Sequence, residues 1–600
     1  MKRLFDWLEH RTGARKLAHE ALYENVPGGA RWRYVWGSTL TFTLVVQIIT
    51  GIFLWMAYAP SSTSAWESVY YIQHEMWFGW LLRGIHHFTA QAMNVLLVLH
   101  LMQVVIDGAY KAPREVNFWF GLVLLLLVMG LSLTGYLLPW DQKGYWATKV
   151  ATSIAAITPF IGPEVQKLIV GGSEYGHHTL TRFFALHAGV LPGAILVLVA
   201  GHVYLFRRHG LTAKEPKRRP DAPFWPEQVL KDSVACLAVL AAVLFLTVKH
   251  HGAELGAPAD PAENYAAARP EWYFMFLFQL LKYFPGSTEI IGAMLLPGLV
   301  TVLVFLMPWF AQWRLGHRFN LGMLFGLILV VGLLTWRGFV ADRANPGYVA
   351  AVQQAEREAA RVVELARAPA GIPATGAVTL LRHDAYTQGP KLFARHCASC
   401  HRFDGHDGLG VTTTNVPSAS DLKGFASREW LAGLLDPARI SGPHYFGGTK
   451  FAEGKMAKFV KKDVAAFTSE QKQHLARVLA AVSAEGSLKS QRELDQRDAA
   501  LLDEGRTLFA SEAMRCAECH QFRKKDEDAT APDLTGYGSK EWLAGILTNP
   551  KHERFYGKRN DRMPAFGADA LLDAQAISLL ADWLRGDWYE AEQKSIAAKP

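Results

Sequence analysis

The chain has 600 residues, of which 50% are hydrophobic and only 19% are charged, below the roughly 25% of charged residues usual in soluble domains. Its 62 Lys and Arg residues exceed its 54 Asp and Glu residues, which gives a formal net charge of +8. These averages exclude intrinsic disorder and an entirely soluble enzyme, and they predict one very apolar part joined to one of ordinary composition.

Residues 1–33 are basic and amphipathic, and no apolar core with a small-residue cleavage site follows them as in a signal peptide. They predict a helix on a membrane surface, with an ordinary solvated helix as the alternative. Seven long apolar stretches come next, and most reach the roughly 18–20 residues that cross a bilayer as a helix. They are Trp36–Tyr58, Gly84–Ile106, Val116–Leu138, Phe183–Phe206, Ser233–Val248, Ile290–Trp313 and Phe319–Trp336.

The loop charges predict the orientation of these spans. Segment 207–231 is rich in Lys and Arg, whereas loop 59–79 contains neither residue. Because basic loops stay in the cytoplasm, the N-terminus is expected inside and everything after the seventh span outside. The net charge of +8 is therefore attributed to basic loops on the cytoplasmic side of a membrane, and no nucleic-acid partner is expected.

The remainder of the chain reads as a linker over 341–385 followed by a repeat. Residues 424–435 (Gly-Phe-Ala-Ser-Arg-Glu-Trp-Leu-Ala-Gly-Leu-Leu) match residues 536–547 (Gly-Tyr-Gly-Ser-Lys-Glu-Trp-Leu-Ala-Gly-Ile-Leu). Two copies of one small α-helical domain are predicted, over 386–485 and 498–592. The predicted fold class is thus all-α: a seven-span helical bundle followed by two small helical domains.

Four histidines form a ladder inside the apolar stretches. His86 and His100 lie in the second stretch, and His187 and His202 lie in the fourth. At about 100° per residue, gaps of 14 and 15 residues leave each pair roughly on one helix face, about 21–22 Å apart. Both helices run in the same direction, so His86 is expected opposite His187 and His100 opposite His202. Two stacked bis-imidazole sites predict two non-covalent b-type haems, with hydrogen-bonded packing histidines as the alternative.

Glycines repeat the spacing of the histidines. In the first stretch Gly37 and Gly51 are 14 residues apart, and in the third stretch so are Gly121 and Gly135. A flat macrocycle needs a wall without side chains where it meets a helix, so these glycines are predicted to line the haem sites. Ordinary helix packing at glycine is the alternative.

Several segments together resemble a known family over about residues 20–340. They are the stretch His86–His100, Gly-Tyr-Leu-Leu-Pro-Trp-Asp-Gln at 135–142, Leu-Thr-Arg-Phe-Phe-Ala-Leu-His at 180–187 and Pro-Glu-Trp-Tyr at 270–273. They are similar to cytochrome b of the quinol-oxidising cytochrome bc complexes. The gap from His187 to His202 and the lack of an eighth span resemble the chloroplast and Gram-positive version. In that version the subunit is split, whereas here the halves, 1–210 and 211–340, are joined.

The resemblance implies two quinone sites. Pro270, Glu271, Trp272 and Tyr273 match the signature loop of an outer quinol-oxidation site, where the Glu271 carboxylate accepts a quinol proton; the alternative is an aromatic loop that anchors at the interface. An inner quinone site is implied at three further residues, which alone read as ordinary residues of a basic loop: Arg207, Lys231 and Asp232.

Three further positions bear on the haems of this resemblance. Arg83 matches a residue that pairs with a haem propionate, with a plain interfacial arginine as the alternative. Val35 occupies the position of a cysteine that tethers an extra haem in the chloroplast version, so no such covalent haem is expected. Gln103 replaces an arginine of the family.

The repeated region carries two Cys-x-x-Cys-His motifs, at 397–401 and 516–520. Cys397 and Cys400, like Cys516 and Cys519, can each attach one haem, with His401 or His520 ligating its iron. A redox dithiol or half a zinc site is the alternative for a single motif. Met456 and Met563, each in a Met-x-x-Phe sequence, are the predicted sixth ligands. The region resembles tandem monohaem cytochrome c domains.

Taken together, the resemblance implies the core of a bacterial quinol–cytochrome c oxidoreductase in the cytoplasmic (inner) membrane, with two b-type and two c-type haems. Electron bifurcation and proton translocation are implied, with a Rieske iron–sulfur protein, a downstream cytochrome c or oxidase, membrane lipid and a second copy of the complex as partners. The alternatives are a non-bifurcating quinol or quinone oxidoreductase, and a passive electron conduit or scaffold.

Overall fold

The structure is a computed structural model that describes residues 2–212, 219–412, 414–525, 529–560 and 562–591. The middle of the basic segment 207–231 thus lies outside the described residues. The chain divides into two compact units. The first, here called the membrane unit, comprises residues 1–363 and 372–378, and the second, the C-terminal unit, comprises residues 364–371 and 379–600.

The membrane unit is almost entirely helical, because long apolar stretches satisfy their backbone groups internally only as helices. Its two described strands, β1 (Asn25–Val26) and β2 (Ala222–Pro223), form one short antiparallel pair. Its α-helices are α1 (Lys2–Thr12), α2 (Ala14–Leu22), α3 (Val35–Trp55), α4 (Ala65–His74), α5 (Gly79–Asp107), α6 (Glu115–Leu137), α7 (Gln142–Ala156), α8 (Gly162–Val170), α9 (His177–Ala185), α10 (Leu191–His209), α11 (Glu227–Lys249), α12 (Met275–Leu281), α13 (Leu296–Phe305), α14 (Met307–Phe310) and α15 (Gly316–Arg343).

Among the described residues, seven helical segments are long and apolar enough to cross a membrane, so the prediction of seven spans and of an all-α fold is confirmed. They are Trp32–Trp55, Gly79–Asp107, Glu115–Leu137, His177–His209, Glu227–Lys249, Gly286–Phe305 and Gly316–Arg343. The fifth gains length at its N-terminus, as its short apolar stretch requires. The sixth begins and ends earlier than predicted, and α14 follows it as a separate short helix.

The fourth span is not one regular α-helix. Between α9 and α10 lies a π-helical turn, Leu186–Val190, which contains His187. A π turn takes up one residue more than an α turn. The 15-residue gap between His187 and His202 therefore acts like the 14-residue gap between His86 and His100, which removes most of the angular offset that a regular helix predicts.

The helices that carry the histidine ladder are held in a compact group. Helix α3 packs along α5, α6 packs along α10, and α11 packs on both α3 and α5. Between the two histidine levels lies a small apolar core with Leu44, Met93, Leu124, Val128 and Ile195 buried. This core separates the two ends of the ladder and fixes the spacing of the helices around it.

Helix α16 (Pro346–Ala366) carries the predicted linker towards the C-terminal unit. That unit is also helical, with α17 (Val378–Arg382), α18 (Ala385–His396), α19 (Arg428–Leu434), α20 (Lys455–Lys462), α21 (Ser469–Ala484), α22 (Arg492–Arg497), α23 (Ala499–Phe509), α24 (Lys540–Thr548) and α25 (Ala574–Arg585). The sequence repeat is visible in α19 and α24. Ser427 and Ser539 cap these helices by accepting from the backbone N–H of Trp430 and Trp542, at 3.1 Å in each case.

The packing of the long helices in the C-terminal unit crosses the repeat. Helix α18, from the first repeat, packs against α25, from the second, while α21, from the first, packs against α23, from the second. Gly389 in α18 lies directly against the Trp583 ring in α25, and Gly505 in α23 lies against the Arg477 carbonyl in α21. Both glycines allow a close helix crossing that a side chain would prevent.

Candidate haem and quinone sites

The four predicted histidines form two facing pairs in the membrane unit. The ring centroids of His86 and His187 are 6.3 Å apart, and those of His100 and His202 are 6.4 Å apart, with the rings of each pair steeply inclined. A histidine nitrogen binds a metal ion at about 2.0–2.1 Å, so rings on opposite sides of one ion have centroids about 6–6.5 Å apart. Both gaps therefore fit one iron held between two imidazoles.

The remaining ring nitrogens are fixed by neighbouring helices. The Nδ1 atom of His86 lies 2.8 Å from Thr50 Oγ1, and Nδ1 of His187 lies 3.1 Å from the Leu131 carbonyl. His202 Nδ1 lies 3.0 Å from the Asn117 carbonyl. An N–H donated at Nδ1 fixes the tautomer and leaves Nε2 for a metal. His100 Nδ1 is buried and has no hydrogen-bond partner within the described part of the chain.

Each predicted glycine stands against one of these histidines. Closest is Gly135, where an added Cβ would come within 2.5 Å of His187 Cε1. The corresponding distances are 3.4 Å from Gly51 to His86, 3.3 Å from Gly121 to His202 and 3.8 Å from Gly37 to His100. A side chain at Gly135 would displace the His187 ring. The 14-residue glycine spacing thus places one glycine beside each of the four histidine rings.

A cavity of about 390 Å³ opens beside the His100–His202 pair. Its walls include Gly37 and Gly121, and they continue to Asp232. Most of its surface is apolar, with polar side chains among the lining residues, as in a typical small-molecule site. The His100–His202 pair and two of the three predicted quinone residues, Arg207 and Asp232, thus line one space.

The three predicted inner quinone residues have different surroundings. Asp232 is buried and accepts hydrogen bonds from Ser38 Oγ at 2.6 Å and from Gln228 Nε2 at 2.7 Å. Arg207 lines the cavity and pairs with Glu24 at 3.7 Å. Lys231 is half-buried and is not among the described residues that line the cavity.

The signature loop 270–273 meets the histidine helices at the other end of the ladder. Gln91, five residues after His86 on α5, donates from Nε2 to Glu271 Oε2 at 3.3 Å, while Trp272 Nε1 donates to Gln91 Oε1. Lys143 Nζ lies 3.8 Å from Glu271 Oε1. Pro270 follows an arginine held by a two-pronged ion pair: Arg269 to Asp342, at 2.7 and 2.8 Å.

The charges around this loop favour a positively charged Lys143. Burial by itself lowers the pKa of Lys143, but the nearby carboxylates of Glu271, Glu254 and Asp141 outweigh burial, so this pKa is raised. The pKa of Tyr273 is also raised, first by burial and then by the charge of Glu271, so its hydroxyl stays neutral. A carboxylate, a cation and a neutral hydroxyl thus share one site.

Arg83 makes contacts to protein groups near the same loop. Its guanidinium donates to Gln73 Oε1 at 2.9 Å and to the backbone carbonyls of Ala253 and Glu254 at 2.8 and 2.7 Å. Its pairing with a haem propionate stays a prediction. At the inner end, Gln103 Nε2 donates to Asp107 at 3.1 Å, and Arg33 pairs with the same carboxylate.

The two Cys-x-x-Cys-His motifs have matching geometry in the C-terminal unit. His401 Nδ1 lies 2.8 Å from the Ser420 carbonyl, and His520 Nδ1 lies 2.8 Å from the Pro532 carbonyl. Burial is the main cause that lowers the pKa of both histidines, so the imidazoles are neutral with Nε2 left for a metal. Backbone carbonyls here take the place that a threonine hydroxyl takes beside His86.

The cysteines and methionines group in an unexpected way. Cys397 packs in one apolar cluster with Met563, whereas Cys516 packs in another with Met456. Cys400 and Cys519 are half-buried and unpaired as disulfides. The structure therefore brings each first cysteine together with the methionine of the other repeat.

Some contributors to these sites were missed from the sequence. Gln91 and Lys143 touch Glu271, and Thr50 and Thr134 touch the outer histidines. A signal existed for the threonines, because each directly precedes a glycine of the 14-residue pattern. Gln91 and Lys143 carry no such signal, since their contact with the loop depends on how distant segments pack.

Comparisons with known proteins agree with this geometry. The family model described as "Cytochrome b(N-terminal)/b6/petB" matches residues 91–264, and "Cytochrome b(C-terminal)/b6/petD" matches 258–354. The family model "Cytochrome c" matches 386–479.

Among curated relatives, the "Menaquinol:cytochrome c reductase cytochrome b subunit" of Geobacillus thermodenitrificans is 41% identical over 220 residues, covering 35% of this chain and 98% of that protein. "Cytochrome b" of Rhodobacter capsulatus is 34% identical over 345 residues, covering 55% and 76% respectively. "Cytochrome b6" of Acaryochloris marina is 35% identical over 212 residues, covering 35% and 99%.

Proposed function

The chain belongs to the cytochrome b family, with a cytochrome c domain joined to it, and we propose that it is the electron-transfer core of a bacterial quinol–cytochrome c oxidoreductase. The proposal includes two b-type haems at the two histidine pairs and two c-type haems at the two Cys-x-x-Cys-His motifs. When bound, these haems accept and pass on single electrons. Menaquinol, the donor in the printed name of the Geobacillus relative, is one substrate of the proposed class.

Quinol oxidation is proposed at the loop 270–273. Glu271 is the proton acceptor: its carboxylate is 15% exposed, so it is shielded yet can still reach water. Gln91 and Lys143 hold that carboxylate in place. Because Gln91 and His86 lie on one helix, five residues or about 7.5 Å apart, a quinol at Glu271 is next to the outer histidine pair. This connection is the observation that carries the proposal.

The two electrons of the quinol are proposed to separate at this site. One goes to a Rieske iron–sulfur protein and onward to the C-terminal unit, and the other crosses the membrane along the histidine ladder. Quinone would be reduced next to the haem held by His100 and His202, near Asp232, which can deliver a proton, and Arg207, which can orient a carbonyl oxygen. Protons released outside and taken up inside would build a gradient, and a downstream cytochrome c or oxidase would accept the electrons.

The orientation, domain limits and assembly belong to the same proposal. The basic segment 207–231 favours an N-terminus in the cytoplasm, and seven spans then leave the C-terminal unit on the periplasmic side. The proposed domains are 1–210, 211–340, 386–485 and 498–592, with 341–385 as linker. The working complex is proposed to be a homodimer with its Rieske partner, in a bacterial inner membrane.

Oxidant-induced reduction tests this function on the purified complex. With quinol present and the inner site blocked, ferricyanide is added and the b-haem absorbance is followed by rapid mixing. A bifurcating enzyme shows a transient increase in reduced b haem when oxidant is added. If the b haems only become oxidised together with the c haems, the chain is a linear wire and the proposed bifurcation is wrong.

A pair of variants tests whether quinol oxidation depends on Glu271 in the loop 270–273. Glu271→Gln keeps the shape of the side chain but cannot take up a proton, so steady-state quinol oxidation should fall about 100-fold or more, the range of general-base catalysis. Glu254→Gln is the matched control, because Glu254 also lies near Lys143, at 3.7 Å, but its side chain is 74% exposed. Equal activity of the two variants would exclude Glu271 as the proton acceptor.

A further inference from the structure

The C-terminal unit contains two haem motifs, two Met-x-x-Phe sequences and four long helices, and its packing pairs them across the repeats. We infer that the two repeats exchange their sixth ligands: Met563 ligates the iron of the haem bound at Cys397 and His401, and Met456 ligates the iron of the haem bound at Cys516 and His520. This inference rests on the proposed c-type haems but on none of the proposed quinol chemistry.

The first line of evidence is the composition of the two apolar clusters. One cluster contains Cys397, Ala398 and Phe403 from the first motif together with Met563 and Phe566. In the other, Cys516, Ala517 and Phe522 from the second motif lie together with Met456 and Phe459. Each methionine thus shares an apolar environment with the motif of the opposite repeat.

Direct contacts next to each motif support the same pairing. The Phe566 ring, in the sequence Met563–Phe566, lies edge-on to His396, the residue before Cys397, with centroids 6.3 Å apart. In the same way the guanidinium of Arg515, the residue before Cys516, lies 5.9 Å from the Phe459 ring. Arg515 also pairs with Asp463 at 3.2 Å, just after helix α20.

The helices that flank the motifs follow the exchange. Phe393, four residues before Cys397, packs its ring on Trp583 of α25 at 5.3 Å, and Phe403 stacks on the same indole at 4.3 Å. On the other side, Gly505 of α23 is so close to α21 that an added Cβ would come within 2.9 Å of Ala481 Cβ. Each haem site is therefore built from the N-terminal part of one repeat and the C-terminal part of the other.

A short connection explains why the repeats fold in this way. Helices α21 and α23 are separated only by residues 485–498, so closing the loop between them costs little conformational entropy. Arg428, at the start of α19, fixes this connection through ion pairs to Asp495 at 2.5 Å and to Asp498 at 2.7 Å. Once α21 and α23 are paired, α18 and α25 remain to cover each other.

Selective removal of one haem tests the exchange in the full chain. Replacing Cys516 and Cys519 by Ser prevents covalent attachment at the second motif and leaves the haem of His401. In this background, Met563→Ala should abolish the long-wavelength absorption band of methionine-ligated ferric haem, and Met456→Ala should leave the band in place. The reverse result would overturn the inference.

The mirror-image set is the matched control. With Cys397 and Cys400 replaced by Ser, Met456→Ala should abolish the band and Met563→Ala should preserve it. If either background fails to fold, electron cryo-microscopy of the intact complex identifies directly which sulfur lies on which iron, and a Met456 sulfur above the haem of His401 overturns the inference.

The covalent haem content separates this inference from the proposed function. A chain that matures without any covalent haem contradicts the proposed cytochrome c sites themselves. Two attached haems with methionines from their own repeats contradict only the exchange. A complex that binds four haems but does not bifurcate leaves the exchange untouched, because ligation is read from the spectrum rather than from turnover.

Discussion

The membrane unit and the C-terminal unit hold their candidate ligands by opposite strategies. In the membrane unit, both histidines of each pair of ligands along the chain belong to one span, and the helix repeat, adjusted by the π turn at Leu186–Val190, brings them into register with their partners. In the C-terminal unit, the motif and the methionine that it faces lie in different repeats: Cys397 and Met563 are 166 residues apart, and Met456 and Cys516 are 60 residues apart. Ligand pairing therefore follows from helix geometry in one unit and from the choice of packing partners in the other.

The histidines also differ in what holds their Nδ1 atoms. His86 is held by a threonine side chain, whereas His187 and His202 in the membrane unit lie against backbone carbonyls, as His401 and His520 do in the C-terminal unit. In both units, glycines permit the closest approaches: Gly135 meets a ligand ring, while Gly389 and Gly505 meet a neighbouring helix. Substitutions at these glycines can thus distinguish effects on the position of a ligand ring from effects on the packing of two helices.

The largest effect is expected at the outer histidine pair. In Gly135→Val the new side chain would collide with the His187 ring, so the outer b haem should be lost and quinol oxidation with it. Redox difference spectra of the purified complex measure the b-haem content. Gly130→Ala, in the same helix, is the control, because its Cβ would meet only Leu191 Cδ1 at an ordinary 3.7 Å. A full complement of b haem in Gly135→Val would show that a side chain at position 135 does not displace the His187 ring.

A smaller effect is expected where distant segments meet around Glu271. Lys143→Met removes the cation 3.8 Å from this carboxylate, so the carboxylate is held less firmly in place and quinol oxidation should slow about 10-fold. Lys143→Arg keeps the charge and should retain most of the activity. Steady-state turnover with quinol and cytochrome c is the measurement; identical rates in Lys143→Met and the unmodified enzyme would remove Lys143 from the site.

The helix crossings of the C-terminal unit come next. Gly389→Ala forces a methyl group into the Trp583 ring, and Gly505→Ala forces one into the backbone of α21. Each should lower the free energy of unfolding of this unit by about 1–3 kcal/mol, as overpacking does. Thermal unfolding followed by c-haem absorbance in the full chain reports it. Arg395→Ala, at an exposed position of α18, is the control and should change the free energy of unfolding by less than about 0.5 kcal/mol. If this control loses as much stability as Gly389→Ala, the crossing of α18 and α25 is not tightly packed.

The smallest effect is expected on the reduction potential, where a hydrogen bond from histidine Nδ1 to a side chain is compared with one to a backbone carbonyl. Thr50→Val removes the acceptor for His86 Nδ1, which makes the imidazole a weaker donor and should raise the reduction potential of the outer b haem slightly. Redox titration measures this shift. Ser420→Ala is the comparison in the C-terminal unit, because the carbonyl that accepts from His401 remains. A potential that moves only in Ser420→Ala would contradict this assignment of support.

Features that depend on local periodicity could be predicted from the amino-acid sequence. Seven apolar stretches became seven long helices, and the spacing of His86 and His100 placed both on one face of α5, because a helix repeats its faces at a fixed angle. The Cys-x-x-Cys-His motifs could also be recognised from the sequence, since their residues are adjacent in the chain. The glycines of the 14-residue pattern lie beside the four histidine rings, and their contact with a haem stays a prediction.

Features that depend on contacts between distant segments are visible only in the folded chain. The π turn at Leu186–Val190, the approach of Gln91 and Lys143 to Glu271, and the shared cavity at Asp232 have no periodic signal. The pairing of Met563 with Cys397 is the clearest case. The two repeats are alike in sequence, so either methionine satisfies either motif chemically, and the partner is chosen by which helices bury each other at the lowest cost in loop entropy.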